Sequence, residues 1–227
     1  MRCLDLGCGP GEVMRLLAER VGPSGQVTGL DNDARIGMAG LEHLRATVPG
    51  RFEFVPADVE AIDEVPGAPF DLVIARLLLF HLNDPVGALR KMHAWTRPGG
   101  LVIVQDYDGG TTEIVPRPVN WAEYERINQI PAKVGRDLRF GQKLPLHFAA
   151  AGIGAPDGTD VAGLLLPMAE IGDWFRTVYE CVRPAAIRLG LTTEADGDAF
   201  LAELAEAVSE GRGIGMLPLL ISAWKRR

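Results

Sequence analysis

Leu4-Asp5-Leu6-Gly7-Cys8-Gly9-Pro10-Gly11 is the stretch whose reading decides the fold of this chain. An apolar run containing an acid breaks into glycines at alternate positions 7, 9 and 11. Glu12-Val13-Met14-Arg15-Leu16-Leu17-Ala18 follows, with apolar residues at 13, 16 and 17. The pattern predicts a strand over 2–6, a tight glycine turn and an amphipathic helix over 12–21. Glycine is needed where the backbone must take positive φ, or where a ligand presses on the main chain. The turn feeds a helix N-terminus, whose N–H groups and dipole favour an anion. A nucleotide-like ligand over residues 7–11 is therefore expected.

Working outward, the same rhythm repeats. Gln26 to Leu30 reads as a second strand ending at Asp31-Asn32-Asp33, and 34–46 as a helix with Asp33 as N-cap and Ala34, Met38, Leu41 and Leu44 on one face. Strands are expected at 51–55, 70–75 and 101–106. Asp84-Pro85 opens a helix with apolar face Ala88, Leu89, Met92 and Trp95, stopped by Arg97-Pro98-Gly99-Gly100. Strands alternating with helices imply right-handed parallel βαβ units, and ligands in such sheets sit at the carboxyl ends of the strands. Asp31, Asp58, Arg76 and Asp106 all fall just past expected strand ends. Beyond 106 the rhythm changes. Helices are expected at 120–130, 142–151, 170–190 and 194–210, a sixth strand at 161–166, and a closing strand at 214–224 broken by Pro218.

The totals narrow the function classes. The chain has 227 residues, 47% apolar and 23% charged, with a formal charge of −7. An acidic balance argues against a nucleic-acid backbone as the main partner. Cys3, Cys8 and Cys181 are odd in number and lack metal-ligand spacing, which fits a reducing compartment such as the cytoplasm. No apolar run is long enough for a membrane span. No zinc spacing or nucleophile elbow occurs, so no metal site and no acyl-transfer site is expected.

Two nucleotide readings compete. A dinucleotide fingerprint wants its third glycine where Glu12 stands, and the spacing here is G-x-G-x-G. Asp31 follows at the end of the next strand, where a carboxylate can accept from both hydroxyls of a ribose. At this point Leu4–Gly11, Gly29-Leu30-Asp31, Pro56-Ala57-Asp58-Val59, Phe70–Arg76 with His81-Leu82-Asn83-Asp84-Pro85, and Arg97-Pro98-Gly99-Gly100 together resemble the class I S-adenosylmethionine-dependent methyltransferases of small-molecule type. The resemblance runs through residues 2–106 and weakens beyond them. It implies a Rossmann-like α/β fold with a seven-stranded, mostly parallel sheet of order 3-2-1-4-5-7-6, strand 7 antiparallel, and helical insertions after strands 5 and 6. It implies one domain over 1–227, with 1–106 holding the cofactor and 107–227 supplying acceptor-side helices and closing strands. Carried over residue by residue, Asp5 and the backbone at Gly7, Cys8, Gly9 and Gly11 would hold the methionine end of S-adenosyl-L-methionine. Asp31 would bind the ribose and Asn32 would lie against the adenine. Asp58 would accept from the adenine amino group, and the Val59 backbone would pair with a ring nitrogen. Arg76 would line the methionine side. S-adenosyl-L-homocysteine would be the product.

Methyl transfer from a sulfonium is an in-line displacement, so the protein mainly supplies alignment. A general base helps a hydroxyl or acidic carbon acceptor. His81 and Asp106 are the candidates, each with a competing structural role in fixing a loop. Tyr107, Trp121, Tyr124, Trp174 and Phe175 are candidates for an acceptor wall or for core packing. The expected partner is a small organic acceptor, with neither nucleic acid nor membrane involved. A nicotinamide-dependent oxidoreductase is the weaker enzyme reading, since Glu12 replaces the third glycine. A third reading comes from the chain start. Family members usually carry helices before the first strand, and Met1-Arg2-Cys3-Leu4 is already strand. The favoured expectation is that Met1 is an internal methionine of a longer protein or that the chain is truncated; otherwise a partner, or a second copy of this chain in a homodimer, would supply the lid to a cofactor-binding subunit impaired on its own.

Overall fold

The computed structural model describes every residue from Met1 to Arg227. β1 (Arg2–Leu6) is buried from Cys3 to Leu6, and α1 (Glu12–Val21) starts directly after Gly11. β2 (Gln26–Asp31), α2 (Ala34–Thr47) and β3 (Arg51–Pro56) continue the alternation. β4 (Phe70–Arg76) and α3 (Pro85–Trp95) lead into β5 (Thr96–Asp108). Then come β6 (Glu113–Val115), α4 (Trp121–Ile127), α5 (Ile130–Lys133) and α6 (Leu144–Ala150). β7 (Gly158–Ala162), β8 (Leu165–Pro167), α7 (Met168–Arg188), α8 (Glu194–Ser209), β9 (Ile214–Met216) and β10 (Leu219–Arg226) complete the chain.

A seven-stranded sheet has the order β3-β2-β1-β4-β5-β10-β7, and β6-β9-β8 form a separate three-stranded sheet. Counted within the large sheet, this is the expected 3-2-1-4-5-7-6 order, with the closing strand antiparallel. β1 pairs in parallel with β2 and β4, so the glycine loop leaves the middle of the sheet. The backbone gathers into two units. The first comprises Met1–Asp106, Phe140–Asp160 and Ile221–Arg227, and the second Tyr107–Arg139 and Val161–Leu220.

In the first unit, small residues let the helices press on the loop. Met14, Leu41, Leu44 and Phe52 share one core with Cys3 and Cys8. A Cβ on Gly29 would lie 2.6 Å from Cys8 Sγ, and one on Gly40 would lie 2.4 Å from the Pro10 carbonyl oxygen. This shifts the buried face of α2 away from the expected one. Gly37, Gly40, Leu41 and Leu44 are buried, while Met38 is 54% exposed. α1 shifts similarly, burying Met14 and Ala18 and leaving Leu16 exposed. Expected caps hold: the Asp33 carboxylate accepts from the Arg35 and Ile36 amides, and Asp84 accepts from the Gly87 amide at 2.8 Å with Pro85 at the first helical position.

Four elements differ from the sequence reading. β5 starts at Thr96 rather than 101, because Gly99 donates to the Arg227 carbonyl and Gly100 accepts from the Arg227 amide. The single closing strand is two strands in different sheets, separated at Leu217-Pro218, where the Leu217 amide donates to Leu164. The expected sixth strand divides likewise. β7, ending at Ala162, joins the large sheet, and β8, starting at Leu165, joins the small one. Gly158 lets that edge close under the Trp224 indole. The helix expected at 120–130 ends at Ile127, and a short α5 follows.

The second unit has its own core. Trp121, Tyr124, Phe175, Tyr179 and Phe200 pack together, with Trp121 and Tyr124 stacked at 4.9 Å. Trp121, Tyr124 and Phe175 are thus helix-packing residues. Glu123 is buried there, accepting from the Tyr179 hydroxyl at 2.5 Å and from Arg126 at 2.9 Å.

Candidate functional site

Parallel strands of the first unit deliver their carboxyl ends to one edge, and a cavity of about 330 Å³ opens there. Gly7, Leu30, Asp31, Asn32, Ala57, Asp58, Val59, Glu60, Leu77, Leu78, His81 and Leu82 line it. These come from the ends of β1, β2, β3 and β4 and the segments just after them, as ligand sites in such sheets do. Of the residues singled out from sequence, Gly7, Asp31, Asn32, Asp58, Val59 and His81 meet at this one cavity. Asp5, Cys8, Gly9, Gly11, Arg76 and Asp106 are not on its wall.

The glycine loop is braced from within. Gly7 and Cys8 donate to the Leu30 carbonyl, Gly11 to that of Cys8, and Gly9 to the Asp31 carboxylate at 2.8 Å. Asp31 also accepts from the Asp33 amide at 2.9 Å. Asp31 therefore ties the loop to the end of β2 while lining the cavity. Gly7, Gly9 and Gly11 all have positive φ, and a Cβ at Gly9 would meet nothing within 4 Å. That leaves open space against the main chain. Gly11 caps α1 with no side-chain acceptor, so the first turn of the helix keeps its dipole uncapped.

Asp5 is the unusual group. It is 1% exposed, and its Oδ2 has no hydrogen-bond partner. An ionised carboxylate in that position is costly, so burial, then the neighbouring Asp31 charge, push it up to about 8, with Arg76 opposing. An orphaned acid next to an open glycine loop fits a ligand that brings a cation or a hydrogen-bond donor. The Cys8 thiol is pushed up to about 12, mainly by burial, so it stays protonated and acts through its backbone and packing.

Two candidate bases occupy different places. His81 is exposed at the end of a 3-10 turn (Leu79–His81), and the Phe80 ring meets it edge-on at 5.1 Å. Asp106 is 2% exposed, and its Oδ2 accepts from the Phe80 amide at 3.1 Å. Asp106 therefore holds the turn that carries His81. Asp58 uses Oδ1 to accept from the Glu60 amide, which leaves Oδ2 for a ligand.

Several lining residues gave no sequence signal. Glu60 binds Asn83 Nδ2 and the Asp84 amide, and Lys91 reaches the carbonyls of Val59, Glu60 and Ile62, so the two loops close the cavity together. Leu77 has φ 55, the only positive value at a non-glycine residue. Its amide donates to Gln105 at 2.8 Å, which holds the turn after β4. Neither feature has a motif; both depend on partners far along the chain.

A family model described as a methyltransferase domain matches residues 1–145, more than half the chain. This chain belongs to the S-adenosylmethionine-dependent methyltransferases. The methyltransferase is 29% identical to a trans-aconitate 2-methyltransferase of Streptomyces avermitilis over 219 residues, 92% of this chain and 77% of that one. A trans-aconitate 2-methyltransferase of Rhizobium etli is also 29% identical, over 93% of this chain and 73% of its own. In fold it is similar to Haemonchus contortus phosphoethanolamine N-methyltransferase 2, solved with S-adenosylhomocysteine, at a TM-score of 0.57 and 19% identity, covering 100% of this chain and 49% of that one. No helix of the methyltransferase is long and apolar enough to cross a membrane. The residues present fit its cofactor. A buried carboxylate oxygen with no donor at Asp5, open space against the main chain at Gly9 and two further acids, Asp31 and Asp58, at the cavity suit a ligand that is cationic and rich in donors.

Proposed function

We propose that this methyltransferase transfers a methyl group to a small organic acceptor by in-line displacement at the carboxyl edge of β1 and β4. The observation that carries the reading is the buried, unpartnered Asp5 carboxylate beside the glycine loop, with Asp31 one strand away. That arrangement supports one polarity for the bound cofactor. Asp5 and the loop take its methionine end, Asp31 accepts from the ribose hydroxyls, and Asn32 lies along the adenine. Asp58 Oδ2 accepts from the adenine amino group, and the Val59 backbone pairs with a ring nitrogen. When bound, S-adenosylmethionine supplies an activated methyl group on a sulfonium. The chain's own task is then to hold acceptor and methyl in line, which needs alignment more than acid–base chemistry. Asp106 serves that task by fixing the turn below His81.

A small acceptor fits the acidic net charge of −7 and the relatives named for trans-aconitate, a small carboxylic acid. The test is transfer of labelled methyl from S-adenosylmethionine to a panel of small acids, phenols and amines, beside protein and RNA fractions. Label in a small molecule is the expected result. Label confined to protein or RNA overturns the reading, and so does tight cofactor binding with no transfer, which would instead describe an impaired cofactor-binding subunit.

A further inference from the structure

Arg76 is the last residue of β4, the strand between β1 and β5, and is exposed at the edge where the cavity opens. Its guanidinium makes no hydrogen bond or ion pair with the protein. Some exposed arginines are engaged, as Arg97 is with Asp71, Arg117 with Glu113 and Arg176 with Asp173, while Arg20, Arg51 and Arg188 are unpaired as Arg76 is; what distinguishes Arg76 is its place at the carboxyl end of β4. An arginine fork has five donors in a geometry that matches a carboxylate, and at Arg76 all five are available to a ligand. We propose that Arg76 anchors the acceptor by binding one of its carboxylates, so that the substrate is a di- or tricarboxylic acid. This rests on the reading of the site as one for a small acceptor.

Three observations support the placement. Arg76 stands outside the cofactor cavity, whose wall on this side is the next two residues, Leu77 and Leu78. The chain reverses there through Leu77 at φ 55, pinned by its amide to Gln105 at 2.8 Å. A left-handed leucine is held only because its surroundings determine it, so Arg76 leaves a fixed point of the backbone. Finally, β4 pairs with β1 in the register Asp5↔Ile74 and Leu6↔Ala75, so the Arg76 backbone stands level with the start of the glycine loop, the end of the site assigned to methionine.

Charge then selects the acceptor. A guanidinium and a bound sulfonium near the same end attract an anion and repel a protonated amine. A carboxylic acid is already ionised at neutral pH and gives up no proton on methylation. That agrees with Asp106, the buried acid of this edge, being engaged in fixing a backbone turn.

The probe is trans-aconitate, titrated calorimetrically into protein saturated with S-adenosylhomocysteine, for wild type, Arg76→Gln and Arg76→Lys. S-adenosylhomocysteine affinity should stay within about twofold in both variants, which also shows that they fold. Trans-aconitate affinity should fall about 10- to 100-fold in Arg76→Gln, the range for losing a charged hydrogen-bonded pair, with part recovered in Arg76→Lys. In turnover the loss should appear in KM and much less in kcat. An unchanged trans-aconitate affinity in Arg76→Gln overturns the proposal. So does a loss of S-adenosylhomocysteine affinity, which would make Arg76 a ligand of the cofactor's own carboxylate. A wild type that methylates phenols or amines but binds no polycarboxylate overturns it while leaving the small-acceptor reading standing.

Discussion

Replacing Asp5 by Asn should stabilise the free protein while impairing its site. The Asp5 carboxyl titrates near 3.8 in an unfolded chain and at about 8 in the fold, chiefly because it is buried. The folded state therefore holds a proton that the unfolded state releases. The sign follows: stability is fully present below about pH 4 and is lost as pH rises toward 8, by about 1.4 kcal/mol per pH unit. Asparagine has the same shape and does not titrate, so Asp5→Asn lacks this loss. The stability difference between variant and wild type should grow by about 2–3 kcal/mol between pH 5 and pH 7, or roughly 5–11 °C in Tm for a chain of this size. Taking the difference cancels other titrating groups that behave alike in both proteins. Urea unfolding at a series of pH values reads it directly, with the slope m held constant as a control. The same variant should bind S-adenosylhomocysteine at least about tenfold more weakly, since asparagine has no proton to give up to become the counter-ion of the ligand's ammonium. A stability gap that stays flat from pH 5 to 7, or a variant less stable than wild type at pH 7, would refute the reasoning.

Two further outcomes follow from packing and from a buried polar pair. Gly40→Ala puts a Cβ 2.4 Å from the Pro10 carbonyl oxygen, so α2 must move off the glycine loop. Calorimetry should show S-adenosylhomocysteine affinity reduced about tenfold or more, although Gly40 is not on the cavity wall, since small misplacements of a binding loop are costly; unchanged affinity would mean the loop yields freely. Glu123→Ala strands the Tyr179 hydroxyl in the core and removes the Arg126 partner. A loss of about 2–4 kcal/mol in urea-derived stability is expected, and a loss under about 0.5 kcal/mol would show the pair to be idle.

The first half of the fold was legible because its information is local. A glycine turn, a cap such as Asp33 or Asp84, and an apolar run such as 70–75 each declare their structure within a few residues. Acids recurring at strand ends pointed to one edge of the sheet, and Asp31 and Asp58 meet there with His81 on the wall of one cavity. The expectations that shifted had distant partners. Met38 was expected inside α2, yet Gly37 and Gly40 are the buried positions, because closeness to Phe54 and Pro10 favours no side chain at all. The closing strand was read as one because its apolar run hardly falters. Only pairing partners at 113–115 and 165–167 draw its first part into another sheet.

By itself, the sequence determined the order of strands and helices through residue 106, the glycine loop, the acids beside it and the cofactor they imply. Those follow from periodicity and from residue types that few other environments tolerate. Tertiary structure decided which of these groups is charged, which is engaged and which is free. Asp5 and Asp106 look alike as acids within or just past apolar strands. In the fold, Asp5 has a buried oxygen with no donor, and Asp106 accepts from an amide 26 residues away. Burial and hydrogen bonding set the chemistry of an ionisable group, and both depend on neighbours that the chain brings together only by folding.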